Sequence, residues 1–420
     1  MSTAQSLLTN FAPRCRFCDS QLEHRFVDLG MSPLCQTHIS SGDLNKYETF
    51  FPLVTFVCTL CWLVQLDQYV SPSDIFGEYD YFSSYSSSWV EHAKRYALKM
   101  ASLLGLGKDS MVMEIASNDG YLLQHFVQMS IPVLGIEPAA NVARVAMMNN
   151  IPTTVEFFGE ETAKELKKKH GYADLLLGNN VLAHVPDIND FVKGMKLLLH
   201  KEGTITMEFP HLLNLIELNQ FDTIYHEHFS YLSFHTVKRI FNHHGLEIFD
   251  VEEIPTHGGS LRIFAKHIED DSRVPATSVD RLISKELAMG LADIEIYKKF
   301  ESKVKLTKRK LLEFLINAKN DNKTIVGYGA PGKGNTLLNY CAIRQDFLDY
   351  TVDLSPQKQG KFTPGCRLPI LDPSVIRETK PDYVLILPWN LKEEIIKDHG
   401  YIREWGGKFV LPIPEVRVVD

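Results

Sequence analysis

The sequence predicts an α/β protein in three parts: a small cysteine-bearing N-terminal domain, a central Rossmann-like domain and a second, C-terminal Rossmann-like domain. Three observations carry this. Two C-x-x-C pairs, Cys15/Cys18 and Cys58/Cys61, stand near the N-terminus. Short apolar stretches alternate with helical ones from about residue 85 to 270, and the alternation restarts at Lys323-Thr-Ile-Val-Gly-Tyr-Gly329. A chain of 420 residues has room for two to three domains.

Each C-x-x-C pair sets two thiolates at the tip of a tight turn. Two such tips can close a tetrahedron of sulfur around one Zn²⁺, so Cys15, Cys18, Cys58 and Cys61 are the expected ligands. Four thiolates leave the metal no open position, so it staples a domain and performs no chemistry. Disulfides are the competing reading. The opening MSTAQSLLTNFAPRC lacks a positive segment followed by an apolar one, which points to a reducing cytoplasm and reduced thiols. Residues 1–80 form this domain, with Phe50-Phe51 and Phe56-Val57 as its few core-forming residues.

In the central domain, 81–270, a helix over Ser88–Leu104 precedes strands at 111–116, 133–137, 153–157, 174–178 and 203–209 with helices between them. Such alternation means a parallel sheet covered on both faces. A helix over 236–244 and strands at 246–252 and 260–266 follow, and polar IEDDSRVPATS (268–278) marks a boundary. One long helical pattern, about 280–318, fills the 271–318 connection. The domain 319–420 then repeats strand, helix, strand.

With 45% apolar and 23% charged residues the composition is that of an ordinary globular protein. No apolar run is long enough for a membrane span. A net charge of −8 disfavours nucleic acid, and the densest basic run, Lys167-Lys168-Lys169, closes a helix where cations suit the dipole. The expectation is a cytoplasmic monomer without nucleic-acid or membrane partners.

The first strand of the central domain runs into Glu114-Ile-Ala-Ser117-Asn118-Asp119-Gly120, and the second ends at Glu137-Pro138. Ligands of doubly wound sheets sit at the carboxyl ends of the strands, where Glu137 can accept from both hydroxyls of a ribose. The turn has one glycine where a dinucleotide fingerprint needs three. A glycine-poor turn with acidic neighbours suits S-adenosylmethionine, a cationic sulfonium without phosphate. Asn179 and Asn180 end the fourth strand on the same side, and His184 follows them.

These motifs, with GIEPA, GNNVLAHVPD, YHEHFSY and GYGAPGKGN, give a resemblance over nearly the whole chain. The sequence resembles the sugar C-methyltransferases that act on nucleotide-linked 4-keto-deoxy sugars, the tetronitrose 3-C-methyltransferase type. The resemblance implies methyl transfer from S-adenosylmethionine to C3 of such a sugar, on dTDP or another nucleotide. It places the functional tyrosine, glutamate and base on Tyr225, Glu227 and His228, and points to a tyrosine after the zinc domain, for which Tyr81 fits better than Tyr79. His226 falls where the pattern tolerates other residues.

Methylating carbon beside a ketone needs removal of an α-proton and stabilisation of an enolate. Histidine alone has an unperturbed pKa near neutrality, and the Tyr225–His228 run provides one beside a carboxylate and a phenol. His184, at a strand end, can donate to the enolate oxygen, or merely adjoin the helix starting near Asp187.

The C-terminal domain raises a rival. Gly327-Tyr-Gly329-Ala-Pro-Gly332 is a literal G-x-G-x-x-G, with Asp353 about twenty residues on, and alone it reads as an NAD site of a nucleotide-sugar dehydrogenase or epimerase. Pro331 and Lys333 inside the turn weaken that. Lys333 with Asn335 better suits the phosphates of a sugar nucleotide at a helix N-terminus, the role the resemblance gives this domain.

Overall fold

Alternating burial builds the first sheet. In the computed structural model, which describes residues 13–76 and 82–419, β1 (His24–Ser32), β2 (Phe51–Val57) and β3 (Val64–Leu66) pair antiparallel in that order. Along β2, Leu53, Thr55 and Val57 point inwards. Phe50 is exposed and Phe51 only half-buried, whereas Val57 is buried in the core of this face and the half-buried Phe56 packs against a second core on the opposite face. Period-two alternation explains it, since Phe56 follows an inward Thr55 and must face the other way. The inner face is completed by Phe26, Val27 and Leu29 of β1.

The middle of the chain contributes β4 (Val112–Ile115), β5 (Val133–Ile136), β6 (Thr153–Thr154), β7 (Ala173–Asn179), β8 (Leu199–Pro210), the two-residue β9 (Ser230–Tyr231), β10 (Leu246–Ile254) and β11 (Ser260–His267). Seven of these form one sheet in the order β6-β5-β4-β7-β8-β11-β10, and β11 alone runs against the rest. The chain leaves β4 towards β5 and β6, then returns on the other side at β7. A crevice therefore opens above the carboxyl ends of β4 and β7. The third strand is shorter than the expected 153–157, because only Thr153 and Thr154 reach β5.

The entering helix, Ser87–Leu104, is capped by Ser86 Oγ, which accepts from the Trp89 N–H. The 280–318 pattern is two helices, Thr277–Ala288 and Ile294–Asn320. Asp293 breaks it by capping the second helix, its side chain accepting from the Glu295 N–H. That second helix lies over the first sheet: Phe300 stacks on Phe26 at 4.5 Å and Tyr297 on Trp62 at 5.9 Å.

The third sheet holds β12 (Ile325–Tyr328), β13 (Thr351–Val352), β14 (Ile370–Leu371), β15 (Tyr383–Ile386), β16 (Lys408–Leu411) and β17 (Arg417–Val419) in the order β14-β13-β12-β15-β16-β17. It is parallel except for β17. The three sheets interlock. β9 pairs with β3, making the first sheet four-stranded with a strand from the middle of the chain. One apolar core joins β1–β3 to the Ile294–Asn320 helix and the third sheet. No helix among the described residues is long and apolar enough to cross a membrane.

Candidate active site

The turn after β4 is bent by three residues with positive φ: Ala116 (56°), Asn118 (52°) and Gly120 (80°). Only glycine fits the last, since a Cβ there would lie 2.2 Å from Ile151 Cδ1. The bend points the Asn118 N–H at the end of β5. Glu137 receives it on Oε2 at 2.9 Å and takes the Ala139 N–H on Oε1 at 2.9 Å. Both carboxylate oxygens are thereby fixed, with lone pairs to spare for further donors. Burial pushes the Glu137 pKa up, and the two N–H groups oppose this.

Above this turn is a cavity of about 490 Å³, at the switch point of the sheet. Its described lining includes the carboxylates Glu137, Glu156, Asp187 and Asp190 and no lysine or arginine. Such a wall favours a cation and repels phosphate. Asn179 Nδ2 and Asn180 Oδ1, on two residues of that lining, are buried without a hydrogen-bond partner. A ligand with both an acceptor and a donor at one end would satisfy them. The residues fit S-adenosylmethionine: carboxylates for a sulfonium and ribose, amides for the amino-acid end, and Phe157, Phe158 and Phe191 for apolar contact.

Of the residues expected at the cofactor, Asn118, Glu137, Pro138, Asn179 and Asn180 line this cavity. Glu114, Ser117, Asp119 and Gly120 do not. Glu114 is wholly buried within β4, and burial with the nearby Glu137 and Asp119 charges pushes its pKa well above the usual carboxylate range. Ser117 Oγ packs against Gly135. Asp119 Oδ2 accepts from the Ser84 N–H at 3.1 Å and Asn118 Oδ1 from the Ser83 N–H at 2.8 Å, tying the incoming chain to the turn. Trp89, Tyr121 and the three phenylalanines were missed. Aromatics near strand ends read as core from sequence, and nothing in their spacing separates the two roles.

His184 joins the cavity to the histidine loop. It lines the cavity, meets Phe76 edge-on at 5.7 Å and packs against His228 with ring centroids 4.6 Å apart. Burial depresses its pKa to about 4, so the ring is neutral. It is hydrogen-bonded to the Glu227 backbone, and its Nδ1 has no partner. The helix alternative is answered by Asp187, which itself caps Ile188–Leu198.

His228 is fixed by a hydrogen bond from Nδ1 to the Thr223 carbonyl, 2.8 Å. The proton therefore sits on Nδ1, and Nε2 keeps its lone pair. Burial, with His184 beside it, holds this ring well below the usual histidine pKa. Tyr225 lies tilted against it at 4.1 Å. Glu227 Oε1 accepts from Cys35 Sγ of the N-terminal domain at 3.3 Å. His226 donates to the Pro52 carbonyl and packs on Phe51, a contact to the first sheet. Tyr79 and Tyr81 lie outside the described residues.

The helix Gly332–Cys341 abuts this loop. A Cβ on Gly332 would lie 3.0 Å from Cys35 Sγ and 3.6 Å from Tyr225 Cζ, and Thr336 Oγ1 donates to the Ile224 carbonyl at 2.9 Å. Lys333 Nζ donates to Asn390 Oδ1 at 2.7 Å and lies 4.8 Å over Trp389, which donates from Nε1 to Asp222 at 2.6 Å. Asp222 is buried, which raises its pKa to about 6. Asn335 is buried with Nδ2 unpartnered. Asp353, the ribose candidate of the dinucleotide reading, accepts from the Ala330 N–H of its own loop at 2.8 Å.

The four N-terminal thiols lie within 4.8 Å of one another, with Cys15–Cys61 at 3.5 Å and Cys18–Cys58 at 3.6 Å. A tetrahedral zinc with bonds of about 2.3 Å needs sulfurs about 3.8 Å apart, so the set fits zinc. Gln65 Nε2 and Ser20 Oγ hydrogen-bond to the sulfurs, the supporting contacts expected around thiolate ligands.

Comparison with known proteins agrees part by part. Residues 15–76 match a zinc binding domain, 89–251 a methyltransferase domain and 255–414 a C-methyltransferase C-terminal domain. The C-methyltransferase NovU of Streptomyces niveus is 36% identical over 406 residues, 97% of this chain and 96% of that one. The chain belongs to the C-methyltransferase family. The enzyme uses S-adenosylmethionine and carries zinc, and its C-terminal G-x-G-x-x-G is part of a methyltransferase, not of a dehydrogenase. Solved structures with some likeness include a methyltransferase from Anabaena variabilis (TM-score 0.36, 16% identical, 42% of this chain and 85% of that one). Another is the magnesium protoporphyrin IX methyltransferase of Synechocystis (0.34, 14%, 42% and 82%).

Replacing Glu137 by alanine should weaken S-adenosylhomocysteine by about tenfold to a hundredfold, the loss of charge-assisted hydrogen bonds worth roughly 1.5–3 kcal/mol. Calorimetry on Glu137→Ala and Glu137→Gln checks it, and an unchanged affinity in both removes this residue from the site.

Proposed function

We propose that the enzyme methylates C3 of a nucleotide-linked 4-keto-6-deoxy sugar, dTDP-linked or on another nucleotide, through an enolate, in branched deoxysugar biosynthesis. The reading is supported chiefly by one observation: a neutral, fixed imidazole, His228, meets the cofactor cavity through His184. The C-methyltransferase relative and the motif resemblance point the same way.

In this mechanism His228 Nε2 removes the proton from C3, and the Thr223 carbonyl supports the imidazolium that forms. His184, whose ring proton is given to the Glu227 backbone, packs on His228 and holds that ring at the edge of the cofactor cavity. Tyr225 and Glu227 orient the sugar, with Tyr81 joining them. S-adenosylmethionine supplies an electrophilic methyl in line with the nucleophilic carbon. Lys333 and Asn335, at the start of a helix packed on the same loop, bind the nucleotide portion. The zinc, closed by four thiolates, takes no part in these steps and is structural.

Incubation with S-adenosylmethionine and a panel of nucleotide-linked 4-keto-6-deoxy sugars tests the reading by mass spectrometry and carbon NMR. The expected product gains one CH₂, with the new methyl on C3. Methylation at oxygen or nitrogen, or none with any 4-keto sugar while the cofactor still binds, defeats it.

A further inference from the structure

His257 lies outside every motif considered above. It sits between β10 and β11 in the left-handed region, φ 53°. A histidine keeps that conformation only where its surroundings over-determine it. Here they do. Thr256 Oγ1 donates to Glu208 Oε1 at 2.9 Å, Gln220 Nε2 to the Gly258 carbonyl at 2.7 Å and Ser260 Oγ to the Thr256 carbonyl at 3.0 Å.

So held, the ring meets Trp89 edge-on at 5.1 Å and brings Nε2 to 3.0 Å from Asn180 Nδ2. An amide NH₂ can only donate, so Nε2 accepts and the ring proton is on Nδ1. Burial lowers the pKa to about 4, which preserves the lone pair this contact needs. Asn180 is itself held at φ 55°, its N–H donating to the Glu208 carbonyl at 2.7 Å. Glu208 thus anchors both partners. With Nδ2 committed to the histidine, Asn180 Oδ1 is left as the buried, unpartnered acceptor at the cavity wall.

We propose that His257 is a positioning residue for the cofactor: it fixes the Asn180 amide so that the oxygen, not the NH₂, meets the α-ammonium of S-adenosylmethionine. A reversed amide would set donor against donor at a buried site, which costs affinity. The inference deepens the reading of the cavity as the cofactor site and is independent of the sugar.

The discriminating ligands are S-adenosylhomocysteine and 5′-methylthioadenosine, which share the nucleoside and thioether but differ in the amino-acid end. His257→Leu should weaken S-adenosylhomocysteine by roughly tenfold, the order expected for one hydrogen bond to a charged group. Its affinity for 5′-methylthioadenosine should equal that of the wild type, which also shows the variant to be folded. His257→Gln, with an acceptor near the place of Nε2, should recover much of the loss. An equal loss for both ligands, or a His257→Leu protein that binds S-adenosylhomocysteine as tightly as the wild type, overturns the proposal. Failure of the wild type to bind either ligand would instead strike at the cofactor reading itself.

Discussion

His228→Asn is expected to abolish both hydrogen exchange at C3 and methyl transfer, with rate losses of about 10²–10⁴, while S-adenosylhomocysteine binding stays intact. The separation follows from the geometry. His228 touches His184, Tyr225 and the Thr223 carbonyl, whereas the carboxylates that would hold the cofactor lie on the β5 end and beyond. Wild-type enzyme given the keto sugar in D₂O, without cofactor, should wash deuterium into C3, and the variant should not. A variant that turns over near the wild-type rate would pass the role of base to His184. The acid limb gives a second check. His228 is held well below the usual histidine value, chiefly by burial, and so stays neutral as pH falls through 6.5. Activity should therefore persist below that pH and fail only in stronger acid. For stability the sign is the same: a depressed folded pKa contributes stability that is present above about 6.5 and lost as pH falls towards the folded value. His184 and His257, both near 4, add to this acid lability.

Removing zinc should disable the enzyme although the metal takes no part in the chemistry. The first knuckle grips the active-site loops directly. Arg16, next to Cys15, donates from Nη1 to the Pro186 carbonyl at 2.7 Å, and Asn189 Nδ2 donates to the Arg16 and Phe17 carbonyls. The second knuckle leads into β3, which pairs with β9 two residues after His228. A structural zinc contributes on the order of 10–16 kcal/mol to a small domain that folds around it. Chelation, or Cys58→Ser, should thus lose the metal, change the fluorescence of Trp62, which stacks on Tyr297, and suppress methyl transfer. One zinc per chain is expected by elemental analysis, with Cys35, Cys341 and Cys366 dispensable for it. A metal-free protein with unaltered turnover would refute the coupling.

Local chemistry was legible without coordinates. Paired C-x-x-C turns, a glycine-poor turn after a strand and an acidic residue closing the next strand are each short-range patterns, and the chain itself holds their members together. On that basis the parallel sheets, the cysteine cluster and the placing of Glu137 and His184 at strand ends could be read. The pattern failed where burial depends on a partner. The sequence put Glu114 at the cofactor because it opens the motif, yet its side chain lies wholly buried. Phe50 looked like core and is exposed.

The sequence alone determined which residue types are available and the local turns that present them: four thiols in two knuckles, carboxylates and amides at strand ends, and an imidazole pair in Tyr-His-Glu-His. Only the tertiary structure decided which of them meet. Cys35 and Glu227 are 192 residues apart, and His257 and Asn180 are 77 apart. The two-residue β9 is a strand only because β3 offers it a ladder. Such contacts have no signature in spacing, because long-range packing and backbone pairing fix them, and a buried hydrogen bond is worth forming only once both partners have been taken out of water.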